Sequence, residues 1–500
     1  MNIRLLLLFF LLFAGLVPNN SLFSQNSFEL TYATPIDEEI FDGILHSSGN
    51  IYLIGRNGSY QTHHFNPFIL KIYPDGEMQS VEWIAEDSVG MFPCILELND
   101  QNIALVGQCG LNSENENNKR WLRIIDPGLN IISDNFYSQD SSYISVYQNN
   151  SIIDHDGNIT VIGTIEFARE TPGFTTTDLF MAKYSPNGDS LDFRIYNFPD
   201  HPEESYEITT IPESSDYQAI TNAFFIGMPS PQIVRINNEL DIISNKWIEG
   251  VYQSPLSVDH WLNENNFLMS CQHYESEEEE DKIAVIQIDT STYVSKILEL
   301  DKPDTSDYPA WFNSMEFVND STIYIGGFVN YFALWPMEPS YLELYLIDIS
   351  LNVLGYRQFG GDINYRLDGI VKTDDGGCLL YSNTYSENNN YHEHDIRIFK
   401  IPRDSVEIIT QIHDLPGYPQ KEISAYPNPA SDIIHIPLDG HYQDANVQLY
   451  KVEGKKVYDA QTTGSGNLIS IKVNHLPAGI YFYKLTSSGQ IFRAGKFVKL

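Results

Sequence analysis

The sequence predicts an all-β protein in two pieces: a ring of about seven four-stranded units, then a small Ig-like β-sandwich. Three observations carry that expectation. Tyr 31 and Phe 27 far outnumber Met 8 and Cys 4, a balance that favours pleated sheet over helix bundle. A strand-and-turn signature recurs along most of the 500 residues. Residues 423–500 then change charge and strand spacing together.

Residues 1–25 read as a signal peptide. Arg4 supplies a short positive start, and Leu5–Val17 is an unbroken apolar run of signal-peptide length. Polar and small residues follow from Asn19 to Gln25, and cleavage is expected near Ser24–Gln25. The weighed alternative is a membrane anchor. No cysteine follows the run, so a lipid-anchored start is not supported. No later stretch approaches the roughly 18 apolar residues of a spanning helix, so no integral span is expected in the mature chain.

The repeat comes next, over residues 26–414. Its marker is a short strand after a turn: GNIYLIG at 49–55, QNIALVG at 101–107 and GNITVIG at 157–163. Weaker copies are DYQAITN at 216–222, ENNFLMS at 264–270, STIYIGG at 321–327 and GGCLLYS at 376–382. Their third positions step by 52, 56, 59, 48, 57 and 55 residues. A second strand follows each copy, such as FILKIYPDG at 68–76 or LFMAKYSPNG at 179–188. It closes on a turn cluster, where Pro presets the first turn residue and Gly or Asn accepts positive φ. A further strand then begins, as at Ser80–Ile84 or Leu191–Tyr196. Four-stranded units of this length, repeated radially, are β-propeller blades. Both markers count seven; six or eight blades stay open because copies four and five are degenerate. One or two plain sandwiches would leave the regular spacing unexplained. The segment FELTYAT at 28–34 alternates apolar and polar and is expected to close the ring against the last blade. Residues 40–414 resemble bacterial secreted propellers whose repeats end in a Lys-x-x-Pro-Asp/Asn-Gly type of turn.

Residues 415–422 read as a linker, opening Leu415-Pro416-Gly417-Tyr418-Pro419-Gln420. Residues 26–422 hold 20 Lys/Arg and 62 Asp/Glu, net −42, whereas residues 423–500 hold 8 and 5, net +3. Opposite signs argue for separate folding units. Strands are expected at Ile433–Ile436, Asn446–Val452, Lys456–Tyr458, Leu468–Val473, Gly479–Thr486 and Gln490–Val498. Three ordered motifs stand out: Ala425-Tyr426-Pro427-Asn428-Pro429-Ala430, Leu476-Pro477-Ala478-Gly479-Ile480-Tyr481-Phe482-Tyr483-Lys484-Leu485, and Gly495-Lys496-Phe497-Val498-Lys499-Leu500. With these motifs the tail resembles the type IX secretion system C-terminal sorting domain of Bacteroidota. The motif residues carried over are Pro427, Asn428, Pro429, Pro477, Gly479, Tyr481, Lys484, Gly495 and Lys499. The resemblance implies export through the periplasm and across the outer membrane. The implied partners are the type IX translocon, which reads the tail, and a sortase-like surface protease, which usually removes it. The product is then surface-attached or released. The basic terminal strand suits docking by strand addition.

Charge and motif content limit the function. Lys+Arg 29 against Asp+Glu 67 gives −38, which excludes a phosphate-tracking nucleic-acid binder. No nucleophile elbow, H-E-x-x-H or phosphate loop is present. No catalytic residue, cofactor or metal site is assigned. His63-His64 and His392-Glu393-His394 fall in matching loops and are weighed as a surface metal site against solvated loop histidines, with the latter favoured. The acidic run ending at Glu275–Asp281 and the turn Asp154–Asn158 are weighed as calcium loops and read as a loop tip and a β-turn. Trp311-Phe312 and Tyr331–Trp335 are the best aromatic candidates for a binding patch, weighed against blade packing. Asp-Ser motifs at 87–89, 189–191, 320–322 and 404–406 resemble O-glycosylation sites of Bacteroidota. Cys94 and Cys109 are close enough in sequence to bridge neighbouring strands, while Cys271 and Cys378 read as buried small hydrophobes. The expected protein is a secreted or cell-surface binding or adhesion module for an extracellular glycan or protein, not an enzyme. An extracellular polysaccharide hydrolase or lyase, and a structural surface-layer component, are the alternatives.

Overall fold

The computed structural model describes residues 27–59, 64–83, 89–110, 119–138, 143–168, 175–198, 203–225, 228–248, 258–273, 281–300, 305–330, 340–385, 394–408, 425–437, 445–451, 456–462, 468–487 and 490–500. They form two compact units, one ending at Glu407 and one carrying Ile408–Leu500.

The first compact unit is a propeller-like series of antiparallel sheets. Among the described residues seven groups of strands follow one another: four separate four-stranded sheets, two four-stranded halves of one larger sheet, and a sixth group that carries extra short strands. The first runs Asp37–Leu45, Ile51–Ser59, His64–Ile72, Met78–Glu82. The second runs Val89–Glu97, Ile103–Gly110, Lys119–Ile125, Ile131–Tyr137. The third runs Tyr143–Ile153, Ile159–Ala168, Thr175–Tyr184, Ser190–Tyr196. The fourth runs Glu203–Thr210, Tyr217–Phe225, Met228–Ile236, Ile242–Trp247. The fifth runs Val258–Asn263, Asn266–His273, Lys282–Asp289, Val294–Leu300. The sixth pairs both Asp307–Pro309 and Met315–Asn319 with Thr322–Val329, then continues to Tyr341–Asp348 and Val353–Gly360. The last runs Asn364–Lys372, Cys378–Tyr385, His394–Ile401 and takes Phe28–Tyr32 as its fourth strand. The first two sheets are also linked by one parallel bridge, Phe65 to Val89.

The expected closure is therefore present. Phe28 lies opposite Lys400 and Tyr32 opposite Ile396, so the chain's start completes its last sheet.

The core lies between sheets rather than inside any one of them. Alternate side chains of a strand point to opposite faces. In the second strand of the first sheet, Tyr52 and Ile54 pack with Ile95 and Leu105 of the second sheet. Ile51 and Leu53 of that strand face Leu379 and Ile398 of the last sheet. Equivalent apolar layers join each successive pair of sheets. Both faces of each sheet are covered, which explains why the marker strands read as near-continuous apolar runs.

The turns obey the repeat chemistry. In the turn before the first, second, third and seventh marker strands, Gly49, Gln101, Gly157 and Gly376 have φ of 81°, 68°, 78° and 77°. Each donates its N–H to the carbonyl three residues back. This is a type I turn followed by a left-handed residue. The turn after the next strand uses Gly76, Leu129, Gly188, Leu240 and Leu351 in the same way. Leu129, Leu240 and Leu351 stand at positive φ with their side chains buried.

The second compact unit is a small two-sheet sandwich. Ile433–Pro437 pairs with Leu468–Lys472 in one sheet. The other orders Lys456–Thr462, Ala445–Lys451, Gly479–Ser487 and Gln490–Lys499. Ile434, Ile436, Leu449, Ile471, Tyr481 and Phe497 form its core.

The structure answers the Cys94–Cys109 question that the sequence left open, and it buries Cys271 and Cys378 as expected. Cys94 lies opposite Val106, and Cys109 lies opposite Gly90. The register offsets them along the ladder, and all four cysteines are free. Cys94 is buried and its Sγ donates to the Asn149 carbonyl at 3.3 Å. Burial holds its thiol well above the usual range.

Candidate binding cavity

The first strand of each sheet carries no repeat marker, and those of the first four sheets supply most of the site. Their ladders are broken by bulges near the middle. The register slips between Ile40 and Asp42, Met91 and Cys94, Gln148 and Asn150, Ser205 and Glu207, and Leu367 and Gly369. A bulge adds an unpaired residue and redirects side chains. The facing marker strand must then be thin. A Cβ on Gly55, Gly107 or Gly163 would overlap the carbonyl oxygen of Glu39, Met91 or Tyr147 respectively. The closing glycine of IYLIG, IALVG and ITVIG is thus the partner of a bulge on the neighbouring strand.

These strands surround a cavity of about 790 Å³. Its wall takes residues from the first four sheets and the sixth. Tyr147, Asn149 and Asn150 come from the third sheet, and Glu204, Tyr206 and Glu207 from the fourth. Glu166 and Thr177 extend the third sheet's contribution. Trp311, Phe312 and Asn313 lie between the two short strands of the sixth.

The wall is held by buried polar side chains. The Gln148 side chain donates to the carbonyls of Gly107 and Trp121. The Gln148 N–H donates to Gln108 Oε1 at 2.9 Å. Asn149 Nδ2 donates to Ser205 O at 2.7 Å. Glu204 accepts from the Tyr206 hydroxyl at 2.6 Å, and Glu207 accepts from Asn150 Nδ2 at 3.0 Å. Phe312 stands edge-on to Phe41 at 5.6 Å, and Arg366 lies over the Trp311 ring at 5.2 Å.

Asp42 also touches the cavity, but its oxygens serve the backbone. Oδ1 accepts from Gly43 N–H at 2.7 Å and Oδ2 from Ile95 N–H at 3.1 Å. Burial pushes its carboxyl up to about 7 against those two hydrogen bonds. Asp368, at the last sheet's bulge, is likewise pushed up to about 7 by burial, even with Arg366 at 2.8 Å.

The sequence candidates divide. Trp311 and Phe312 do reach the cavity, while 331–335 lies outside the described residues. His64 and His394 are on strands of the first and last sheets, and His394 faces Asp37 at 3.7 Å. His63, His392 and Glu393 lie outside the described residues, as does 275–280. Among the described residues no group of three His, Cys, Asp or Glu is placed to hold a metal. Asp281 accepts from Gln272 at 2.6 Å and from the Tyr308 hydroxyl at 2.6 Å, which is a contact between sheets. Asp154 anchors a turn, accepting from Asn158 N–H at 2.8 Å and pairing with Lys183 at 3.2 Å. Ser190 is exposed on an outer strand. The cavity acids Glu166, Glu204 and Glu207 were missed. The available signal was position: Glu204 and Glu207 lie on the strand before a marker, and Glu166 lies on a marker strand three residues past the marker.

The sorting-motif residues meet within their own sandwich. Asn428 Oδ1 accepts from Val498 N–H at 2.8 Å, and Pro427 and Pro429 flank it. The Tyr481 hydroxyl donates to Pro477 O at 2.8 Å. Gly479 lies opposite Lys499, Gly495 opposite Tyr483, and Lys484 opposite Ala494. The terminal strand is an edge, but not an open one throughout. Ala430 N–H donates to Val498 O at 2.8 Å, and Leu500 N–H to Ala430 O at 2.9 Å.

Residues 424–499 match the family model of the secretion system C-terminal sorting domain. No curated protein matches the chain. Among solved structures, a protein of unknown function from Dyadobacter fermentans is similar at 11% identity and TM-score 0.44, covering 75% of this chain and 98% of its own. The β-propeller domain of the Trilobed protease from Pyrococcus furiosus is similar at 9% identity and TM-score 0.40, covering 78% and 100%. A PL25 ulvan lyase bound to -[GlcA(1-4)Rha3S]- is similar at 9% identity and TM-score 0.49, covering 75% and 96%.

Proposed function

We propose that this chain, a propeller-like passenger carrying a type IX sorting domain, is a non-catalytic binding or adhesion module with seven blades. The sorting domain directs export to the cell surface or extracellular space. The observation that carries the binding reading is the 790 Å³ cavity whose wall is shared by five sheets. That volume suits one small ligand, or one residue of a larger chain, held by polar groups against aromatic faces. The ligand class is an extracellular glycan or protein. The translocon and its sortase-like protease are the proposed export partners.

Two measurements test this. In the native host, the mature chain is expected to start near residue 26, end near 415–425 and sit outside the outer membrane. A periplasmic chain retaining Leu500 would overturn the export role. With purified protein, saturable binding without release of product from extracellular polysaccharides is expected. Turnover that is lost on changing Glu204 or Glu207 to the amide would establish the hydrolase or lyase alternative instead.

A further inference from the structure

We infer that a recess between the fourth and fifth sheets binds one oxyanion group, a sulfate or carboxylate, through Arg235 and Lys246. The site is separate from the 790 Å³ cavity and shares none of that cavity's named lining residues. The first observation comes from the repeat. The penultimate residue of the third strand is basic in four sheets: Lys71, Lys183, Arg235 and Lys400, the last in the closing sheet. Three of them have acceptors. Lys71 donates to Pro127 O at 2.8 Å, in a turn of the second sheet. Lys183 donates to Asn238 Oδ1 at 2.8 Å, in the matching turn of the fourth. Lys400 donates to both Asp375 oxygens at 2.7 Å. Arg235 departs from this pattern. The matching turn residue is Thr290, which lines the recess beside Arg235 instead of accepting from it. One terminal nitrogen of Arg235 is shut off from solvent without an acceptor. A buried charged donor in that state is costly, so an acceptor from solution is favoured there.

The second observation is the company Arg235 keeps. Arg235 lies directly opposite Ser244 on the next strand, so the two side chains share one face. Lys246 is two residues on from Ser244 and joins that face. The Ser244 and Thr290 hydroxyls add neutral donors, while that of Thr292 donates to Ser291 O at 2.6 Å. Asp289 also lines the recess, but its Oδ1 accepts from the N–H groups of Ser291 and Tyr293, at 2.8 and 3.0 Å, within its own turn. Burial lowers the Arg235 pKa, and the Asp216 charge offsets this only in part. The third observation is size. The recess holds about 10 Å³, close to the roughly 10–15 Å³ that one water-sized atom needs. One oxygen of the group fits inside, and the rest stays outside beside exposed Lys246. Arg offers a flat fork of N–H donors suited to such oxygens, and Lys a point charge. The guanidinium lies over the Trp261 ring at 6.0 Å, which restricts its aim before binding. The chain's net −38 repels anions at long range. Affinity is therefore set by these short contacts, on the order of millimolar.

The test uses the chain from residue 26 to residue 500. Inorganic sulfate is titrated at constant ionic strength, with sodium chloride making up the balance, and thermal unfolding is followed. A saturable rise in the midpoint is expected, because a ligand that binds only the folded chain stabilises it. Arg235→Gln is expected to weaken the apparent affinity at least about tenfold, through loss of charge-assisted hydrogen bonds. Lys246→Gln changes an exposed side chain and is expected to weaken it about two- to threefold. It also covers the case where the Arg235 variant fails to fold. Lys119→Gln, exposed on the second sheet, is the control and leaves affinity unchanged. A midpoint that climbs without saturation, equally in all the proteins, overturns the inference, because sulfate would then act by exclusion from the surface. An unchanged midpoint overturns it too, and the recess is then a place for water. A sulfated disaccharide and its unsulfated counterpart separate the sources of the group. Tighter binding of the sulfated sugar than of inorganic sulfate, lost with Arg235→Gln, assigns the site to an anionic polysaccharide. Equal or weaker binding assigns it to the free ion. None of these outcomes alters the reading of the central cavity, which has its own test.

Discussion

Glu38 illustrates how a single buried acid sets a pH response. It is fully buried on the first strand of the first sheet. Its Oε1 accepts from Thr34 N–H at 2.7 Å, while Oε2 has no hydrogen-bond partner. Burial pushes its carboxyl up to about 8, against the opposing Thr34 hydrogen bonds. The sign follows from proton counting. Between the ordinary carboxylate range and about pH 8 the folded protein holds a proton that the unfolded chain has lost, so stability falls as pH rises through that window. Asp42 and Asp368, both raised to about 7, act in the same direction. Glu38→Gln keeps the shape and the accepted hydrogen bond and removes the charge. It is expected to stabilise the protein by on the order of 2 kcal/mol near pH 8 and hardly at all near pH 4. Denaturant unfolding of the two proteins at both pH values checks this. A constant difference across pH would mean that Glu38 does not titrate in that window.

At the scale of elements, the repeat is a pair of strands that constrain one another. The first strand bulges toward the cavity, and the second answers with a glycine. Gly163→Ala is expected to cost about 3 kcal/mol, the range of strain that a backbone cannot relieve locally. It should also alter ligand affinity, because the Tyr147 carbonyl it displaces belongs to the cavity strand. Comparing unfolding midpoints with binding titrations separates the two effects. The turns show a second reciprocal arrangement: a side chain of one sheet caps the turn of the next. Tyr52 and Lys71 both donate to Pro127 O at 2.8 Å, and Tyr196 donates to Leu240 O at 2.7 Å. Lys296 reaches Ser350 O at 2.7 Å, and Arg357 reaches Ser405 O at 2.9 Å. The Pro-Asp-Gly type of turn therefore reverses the chain and presents a carbonyl to the preceding sheet.

For the whole molecule, ring closure is the feature with the largest expected effect. Phe28–Tyr32 supplies the last sheet's outer strand, and Phe28, Leu30 and Tyr32 pack on the layer shared by the last and first sheets. The Phe28 ring also lies against Gly76 in a turn of the first sheet. Removing residues 26–35 exposes that layer and leaves a free strand edge. The expected loss is roughly 4 kcal/mol for three half-buried side chains and their ladder, read as a lower unfolding midpoint. A midpoint unchanged by the truncation would mean that the ring is held by its other seams alone.

The sequence by itself determined the strand repeat, the turn chemistry, the closing segment and the sorting tail. These are local signals. A marker such as Ile51–Gly55 is apolar throughout because both faces of its strand are covered, and a turn favours Gly or Asn where φ is positive, although Gln101, Leu129, Leu240 and Leu351 also stand there. The cavity was legible only in part. Trp311 and Phe312 were marked by being aromatic, but Glu166, Glu204 and Glu207 were not separable among 67 acids. Their meeting depends on bulges that turn the first strands and on the ring that brings distant sheets around one space. The Cys94–Cys109 question also depended on register: Cys94 lies opposite Val106, three residues from Cys109. Strand identity follows from local composition and alternation, whereas register, bulges and convergence arise from long-range packing, and those are what the tertiary structure decided.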